Sequence, residues 1–235
     1  ISAGSLKRRR GGSRFVNAPA KLPKAVVFDM DGTLLDTESP ARIAFARAIT
    51  DLGFVYQEPV YDRCIGTSHA ETKAILTAAY GEQYDHEALH RRWSQRFGEH
   101  TRVHPVAVKP GVVPVLERLA ELSIPMAVAT SNRREICEQH LLEAGLRDFF
   151  ELFVCADEAG KTKPAPDPYL LAVRKLKVAA GACWAVEDSV IGVMAAAQAG
   201  LKVFHIPDAG SNQDSSTLTM PRVQLKTAWE LLDHL

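Results

Sequence analysis

The sequence predicts an α/β protein with a doubly wound parallel sheet and an α-helical domain inserted after the first strand. Short apolar runs alternate with helical stretches in the second half of the chain, an order typical of a parallel sheet with right-handed crossovers. One more apolar run stands alone near residue 25, and the segment after it has helical periodicity. A length of 235 residues allows one large domain with a smaller insertion.

The first strand is expected at Lys24–Phe28, a short apolar run of the kind found in buried parallel strands. It leads into a turn-rich loop, Asp29–Asp36. From Glu38 to about His104 the apolar residues recur at helical spacing, and we expect no strand there. The predicted division of the chain is a flexible leader at 1–23, a core made of 24–37 and 108–235, and a helical cap at 38–107.

Four further strands are predicted, each entered from a helical stretch. Gly145 follows the predicted helix Arg134–Ala144, and Gly200 follows a later helical stretch. Glycine is common directly after the end of a helix. Val112–Leu122 is another predicted helix. The strands are expected at 125–130, 152–156, 182–187 and 201–206.

The leader is strongly basic. Residues 1–24 hold seven lysines and arginines and no acidic residue, which leaves 21 basic against 28 acidic residues in the rest of the chain. The net negative charge of residues 25–235 argues against nucleic-acid binding, because proteins bind phosphate backbones through clustered Lys and Arg on the folded surface. For the leader itself a transit-peptide remnant and a polyanion-binding arm are the alternatives to a flexible tail.

Composition also bears on location. No apolar run reaches the roughly 18 to 20 residues that span a bilayer, so membrane insertion and secretion are disfavoured. Four scattered cysteines without a C-x-x-C pair indicate reduced thiols and a cytoplasmic protein. The helical pairs His86 with His90 and His100 with His104 have a spacing that can bind a metal. Their charged, helical surroundings favour solvated surface histidines instead.

Polar residues follow the predicted strands at the edge where ligands bind in open α/β sheets. Two acidic pairs follow separate strands, and side chains two apart in an extended backbone face the same way. A divalent cation would offset their repulsion, and all-oxygen ligands suit Mg²⁺ completed by a substrate phosphate. A hydroxyl, backbone amides and a lysine could hold the phosphoryl group. The residues concerned are Asp29, Asp31, Thr130, Ser131, Asn132, Lys163, Glu187 and Asp188.

Each of these pieces alone is compatible with an ordinary turn or helix cap. Their joint order resembles the four motifs of the haloacid dehalogenase-like superfamily of phosphohydrolases, in members with a helical cap inserted into a Rossmann-like core. The motifs are Asp29-Met-Asp31-Gly-Thr-Leu-Leu-Asp, Thr130, Lys163 and Glu187-Asp188. The resemblance covers about Lys24 to His205.

The resemblance implies a role for each matching residue. Asp29 would attack phosphorus and form an aspartyl-phosphate, and Asp31 would act as general acid and base. Mg²⁺ would be held by Asp29, the Asp31 carbonyl and Asp188, with Glu187 a ligand or in the outer shell. Thr130 and Lys163 would bind the phosphoryl oxygens, beside the backbone amides near Ser131 that the residue pattern itself suggests. The expected enzyme is a monomeric phosphatase acting on a small phosphate ester.

Alternatives remain within and outside the family. A β-phosphoglucomutase-like phosphotransferase shares Lys163-Pro-Ala-Pro and Glu187-Asp188-Ser189, but the expected cap histidine is absent from Thr37–Ala41. Asp31 argues against a dehalogenase, since a halide needs no protonation. A non-catalytic interaction scaffold would have no need of a buried acidic cluster.

Specificity is expected to depend on the cap face that points at Asp29 and on the loop after Thr130. Hydroxyl, amide and cationic groups in these segments suit a sugar or polyol phosphate or a phosphorylated acid. The residues expected to contact the substrate are Gly66, Thr67, Ser68, His69, Asn132, Arg133 and Arg134.

Overall fold

The computed structural model describes residues 22–65, 67, 69–81, 83–208 and 218–235. Nearly all of the predicted leader lies outside these ranges, so its character stays a prediction. Among the described helices, none combines the length and the apolar character needed to cross a membrane.

A six-stranded parallel sheet forms the core, in the order β5-β4-β1-β6-β7-β8. β1 lies in the middle, with Val27 opposite Ala127 of β4 and Ala185 of β6. Because the winding reverses at β1, the carboxyl ends of β1 and its neighbours border a crevice. The strands are β1 (Ala25–Phe28), β4 (Met126–Ala129), β5 (Leu152–Val154), β6 (Cys183–Glu187), β7 (Lys202–His205) and β8 (Val223–Gln224).

Helices cover both faces of the sheet. Side chains alternate along β1, so that Val26 and Phe28 pack into one apolar cluster while Ala25 and Val27 pack into the other. The first cluster includes α5 (Val112–Glu121) and α6 (Arg134–Glu143), and the second includes α7 (Asp167–Leu176) and α8 (Val190–Gln198). The predicted doubly wound α/β core is confirmed.

The segment between β1 and α5 is helical and has its own apolar core. Phe45 is fully buried there, and its ring contacts Tyr61 and Trp93. The Trp93 indole N–H donates to the Ala41 carbonyl over 2.9 Å, which ties the first and last helices of the segment together. The helices are α1 (Glu38–Asp51), α2 (Glu58–Cys64), α3 (His69–Tyr80) and α4 (His86–Val103). We call this segment the cap.

The predicted strands and the two predicted helices α5 and α6 agree with the structure to within two residues at each end. Gly145 and Gly200 have φ of +70° and +83°, as expected of residues that end a helix. The prediction of a loop throughout Asp29–Asp36 is wrong at its end. β2 (Leu35–Asp36) pairs antiparallel with β3 (Ala107–Val108) at the base of the cap. Two-residue strands carry too little periodicity to be recognised in sequence.

The prediction of four solvated histidines is wrong for His86. His86 is only 7% exposed, whereas His90 and His104 are exposed and His100 is half-buried. The Nδ1 atom of His86 lies 2.6 Å from the Tyr84 hydroxyl, and its Nε2 atom lies 3.2 Å from Nε2 of His69. Burial comes from packing of the α4 start against the α3 start, which the helical spacing of His86 and His90 does not reveal.

Candidate active site

The carboxyl ends of the central strands meet the cap at a cavity of about 290 Å³. Asp29 and Asp31 follow β1, Ser131 follows β4, and Asp188 follows β6. Lys163 reaches the same cavity from the loop before α7. The cap contributes Glu38, Ile65 and Thr67, and the wall is completed by Ser189 and Ile191. The structure thus brings together residues more than 150 positions apart.

Lys163 lies between two carboxylates. Its Nζ atom is 2.5 Å from Oδ1 of Asp29 and 2.6 Å from Oε1 of Glu187. All three residues are buried, and Glu187 has no exposed surface at all. Charged groups removed from water in this way are stable only when paired and hydrogen-bonded. Lys163 therefore orients the Asp29 carboxylate by a direct contact to one of its oxygens.

Glu187 is held by several donors. The Tyr169 hydroxyl donates to Oε1 of Glu187 over 2.6 Å, and the Ser189 hydroxyl lies 3.3 Å from Oε2. A Cβ atom at Gly192, in the first turn of α8, would lie 2.1 Å from the Glu187 carboxylate. Because both Glu187 oxygens accept hydrogen bonds, this carboxylate holds Lys163 in position.

Asp188 faces the β1 loop. The Thr33 hydroxyl donates to Oδ1 of Asp188 over 3.2 Å. Gly32 has φ of +77°, and a Cβ atom there would lie 2.3 Å from Oδ2 of Asp188. Only glycine allows both this backbone conformation and so close an approach. The His205 Nε2–H donates to the Asp188 carbonyl over 2.9 Å, which fixes the backbone at the end of β6.

Asp31 is bound by the residues that follow β4. The Asn132 side-chain amide donates to Oδ2 of Asp31 over 2.7 Å, and the Thr130 hydroxyl lies 3.4 Å from the same oxygen. The Asn132 backbone N–H donates to the Thr130 hydroxyl over 3.1 Å. Thr130 is almost fully buried. In this structure Thr130 and Asn132 therefore contact the Asp31 carboxyl group directly.

Burial and crowding of acids change the proton affinities. Burial is the main cause that raises the pKa of Asp29 to about 8; Glu187 and Asp31 add to it, while Lys163 opposes it. Burial also raises the pKa of Asp31 and, together with Asp29 and Glu187, that of Asp188. Burial alone would lower the pKa of Lys163, but its two carboxylate partners raise it above its usual value. Lys163 therefore stays protonated.

The acidic cluster fits a divalent cation. Asp29, Glu187 and Asp188 offer carboxylate oxygens that all lie within 4.8 Å of one another. An all-oxygen donor set of this kind suits Mg²⁺ better than Zn²⁺. Burial raises the pKa values of Asp29 and Asp188, and neighbouring carboxylates raise them further, so the cluster disfavours a full set of negative charges. A divalent cation held by Asp29 and Asp188 would restore the balance.

The expected specificity residues lie in different places. Thr67 lines the cavity around Asp29, His69 lines a neighbouring cavity inside the cap, and Asn132 contacts Asp31. Gly66 and Ser68 lie outside the described residues. Arg133 precedes α6 as an exposed residue, and the Arg134 guanidinium pairs with Glu138 and Glu158. The structure gives these two arginines no place on the wall of the cavity around Asp29.

Sequence reasoning missed several residues of the site, among them Tyr169 and Glu38. Tyr169 is fully buried on α7 and binds Glu187. Glu38 begins α1 and lines the cavity; burial, with Asp208 and Asp31, raises its pKa to about 7. The position of Glu38 two residues past Asp36 could have indicated a site residue, because the cap begins there. Nothing in the α7 pattern distinguishes Tyr169 from a core tyrosine.

A second cavity of about 530 Å³ opens between the cap and α6. It shares Asp31 and Glu38 with the first, and Trp93, Arg102, Asn132 and His140 are among its other lining residues. The cleft adjoins Asp31 and has polar side chains on both sides, while Trp93, Phe97 and Ile136 add apolar surface. It provides room for more of a ligand than the first cavity can hold.

Comparison with known proteins identifies a family with this architecture. The family model of the haloacid dehalogenase-like hydrolases matches residues 26–206. YhcW of Bacillus subtilis is 32% identical over 219 residues, covering 90% of this chain and 97% of YhcW. The phosphorylated carbohydrates phosphatase of Thermotoga maritima is 31% identical over 214 residues, covering 90% and 98%.

Among solved structures, CbbY from Rhodobacter sphaeroides in complex with phosphate superimposes with a TM-score of 0.75. The two sequences are 26% identical, and the match covers 91% of this chain and 99% of CbbY. A family match over three quarters of the chain agrees with the sheet order, the inserted helices and the acidic strand ends described above. The protein belongs to the haloacid dehalogenase-like hydrolases.

Proposed function

We propose that the protein is a Mg²⁺-dependent phosphatase that hydrolyses a small phosphate monoester through an aspartyl-phosphate on Asp29. The observation that carries the proposal is the convergence of Asp29, Asp31, Lys163 and Asp188 on one cavity. A relative named for phosphorylated carbohydrates supports a sugar or polyol phosphate as substrate, and a phosphorylated acid is the alternative.

The first half-reaction transfers the phosphoryl group to Asp29. Lys163 holds Oδ1 of Asp29 at 2.5 Å, so the carboxylate is oriented before the substrate arrives. A carboxylate oxygen of Asp29 bonds to phosphorus, and the bond between phosphorus and the ester oxygen breaks. Asp31 gives its proton to the departing oxygen. Burial raises the pKa of Asp31, which helps to keep that proton available near neutral pH.

The second half-reaction hydrolyses the aspartyl-phosphate and regenerates the free Asp29 carboxylate. Asp31, now ionised, takes a proton from a water molecule whose oxygen bonds to phosphorus. The bond between phosphorus and Asp29 breaks, and inorganic phosphate leaves. The hydrogen bond from Asn132 holds Oδ2 of Asp31 during both proton transfers. Asn132 and Thr130 act on Asp31 in this scheme, and Ser131 and Lys163 are the phosphoryl-binding groups on the cavity wall.

Asp29, Asp188 and the main-chain carbonyl of Asp31 would hold Mg²⁺. The ion supplies positive charge that offsets the carboxylates and the phosphoryl oxygens. Glu187 has Lys163 and Tyr169 as its partners and serves to keep Lys163 in place. Glu38 and Thr67, on the cap side of the cavity, are placed to meet the organic part of a small substrate.

The test is release of inorganic phosphate from a panel of hexose phosphates, polyol phosphates, phosphorylated hydroxy acids and nucleoside monophosphates with Mg²⁺. Asp29→Asn should abolish release. Asp157→Asn, an exposed aspartate after β5, is the matched control and should keep it. Folded protein that releases no phosphate from any ester, or release that survives Asp29→Asn, would count against the proposal.

A further inference from the structure

A cluster of imidazoles lies inside the cap, apart from the acidic site. His69 is the first residue of α3, and His86 and Glu87 begin α4. Their donor atoms, two ring nitrogens and one carboxylate oxygen, all lie within 4.8 Å of one another. His86 is buried, while His69 and Glu87 are exposed and free to adjust. The three side chains could therefore converge on one ion.

The spacing of the two imidazoles matches shared ligation. Nε2 of His69 lies 3.2 Å from Nε2 of His86, and the rings meet at 73°. Zinc binds imidazole nitrogen at about 2.0 to 2.1 Å in tetrahedral geometry, which places two such nitrogens about 3.3 Å apart. The observed separation is thus close to the one that an ion between the rings requires.

The Tyr84 hydroxyl offers His86 a partner that can orient its ring as a ligand. Its Nδ1 atom lies 2.6 Å from the Tyr84 hydroxyl, and both side chains are buried. When Nδ1–H donates to this hydroxyl, the lone pair of Nε2 points at His69. Metal-bound histidines are fixed in this way, with the second ring nitrogen donating to a neighbouring oxygen. The buried ligand therefore needs no rearrangement, and only the two exposed side chains have to move.

We propose that His69, His86 and Glu87 form a site for a borderline transition-metal ion of the Zn²⁺ class, with water in the fourth position. Two imidazoles and one carboxylate suit Zn²⁺, Co²⁺ and Ni²⁺, whereas Mg²⁺ prefers oxygen ligands. A cavity of about 130 Å³ beside the cluster, lined by His69, His86 and His90, has room for that water. The site is independent of the proposed phosphatase function.

Thr67 connects the two regions of the molecule. It lines both the cavity beside the histidines and the cavity that contains Asp29. Its hydroxyl lies 2.8 Å from that of Thr72 on α3, the helix that His69 begins. An ion joining α3 to α4 would therefore restrain the segment that presents Thr67 to the substrate.

The experiment measures metal binding with the acidic cluster already filled. Protein stripped with a chelator and supplied with excess Mg²⁺ is titrated with Co²⁺ while visible absorption is followed, and with Zn²⁺ against a chromophoric chelator. We expect one equivalent to bind and Co²⁺ to show the absorption of a four-coordinate ion. His69→Gln and Glu87→Gln should each weaken binding at least about 10-fold. Both residues are exposed, so folding is not at risk.

Two controls separate this site from others. His100→Gln changes a histidine of the same helix outside the cluster and should bind Zn²⁺ like the unmodified protein. Asp29→Asn changes the acidic cluster and should also leave this equivalent intact. The proposal is overturned if no equivalent binds in the presence of Mg²⁺. It is equally overturned if His69→Gln binds as tightly as the His100→Gln control.

Discussion

Replacing Asp29 with Asn should make the metal-free protein more stable while it abolishes turnover. Asp29, Asp31, Glu187 and Asp188 crowd around the single cation of Lys163. The substitution removes one carboxyl group and leaves Lys163 its contact with Glu187 at 2.6 Å. The side chain is nearly isosteric, so the cavity keeps its shape. Above the pKa of Asp29 the substitution removes one negative charge from the cluster, and below it the substitution replaces a carboxyl group that folding keeps protonated.

The direction and the size of this change in stability follow from the pKa of Asp29. In the folded, metal-free protein this pKa is raised from 3.8 to about 8, mainly by burial. Between these two pH values the folded state holds a proton that the unfolded state has lost. Stability therefore falls as pH rises, by about 1.4 kcal/mol per pH unit. At pH 7 the accumulated cost in the unmodified protein is about 4 kcal/mol. Asp29→Asn can gain at most this much stability, because the substitution also removes one of the two carboxylate partners of Lys163.

The assay is urea unfolding of chelator-treated protein at pH 6 and pH 8, beside phosphate release with Mg²⁺. Asp29→Asn should exceed the unmodified protein in free energy of unfolding at pH 8, with a smaller difference at pH 6. The exposed Asp157→Asn control should show no such pH-dependent gain. The electrostatic reasoning is refuted if Asp29→Asn is destabilised at pH 8. Turnover above about a hundredth of the original rate would refute nucleophilic catalysis by Asp29, since general acid and base help alone contributes about 10²- to 10⁴-fold.

Three further predictions concern the metal, the support of Glu187 and the reaction outcome. Chelation should abolish phosphate release, Mg²⁺ should restore it, and Ca²⁺ should inhibit because its larger, looser shell misplaces the phosphoryl group; full activity in excess chelator would contradict the metal assignment. Tyr169→Phe should lower the free energy of unfolding by about 1.5 to 3 kcal/mol, because a hydrogen bond to a buried carboxylate is lost. Gly192→Ala should lower the free energy of unfolding further, since the added methyl group would lie 2.1 Å from the Glu187 carboxylate. Equal urea midpoints for the unmodified protein and the two variants would contradict both expectations. With β-glucose 1-phosphate and a trace of the bisphosphate, phosphate release should exceed formation of glucose 6-phosphate, and a tenfold excess of isomerisation would favour a mutase.

The core was predictable because its signals are local. A buried parallel strand is a short apolar run, and the first polar residue after the run lies at the carboxyl end of the strand. Asp29, Asp31, Glu187 and Asp188 could thus be placed at one edge of the sheet before any contact was known. The structure adds which oxygen faces which partner: Asn132 and Thr130 contact Asp31, a pairing that strand order alone does not determine.

The residues that were missed or misjudged depend on contacts between separate elements. Tyr169 on α7 contacts Glu187 at the end of β6, 18 positions away, and His86 contacts His69 across 17 positions. Within its own helix each has the spacing of an ordinary core or surface residue, so periodicity cannot separate a functional position from a structural one. The cap is affected most, because its helices pack on one another and its ligand-facing side chains follow no strand. In this protein a sequence can therefore indicate the phosphoryl chemistry more directly than the substrate, since the first depends on strand ends and the second on how the cap helices meet.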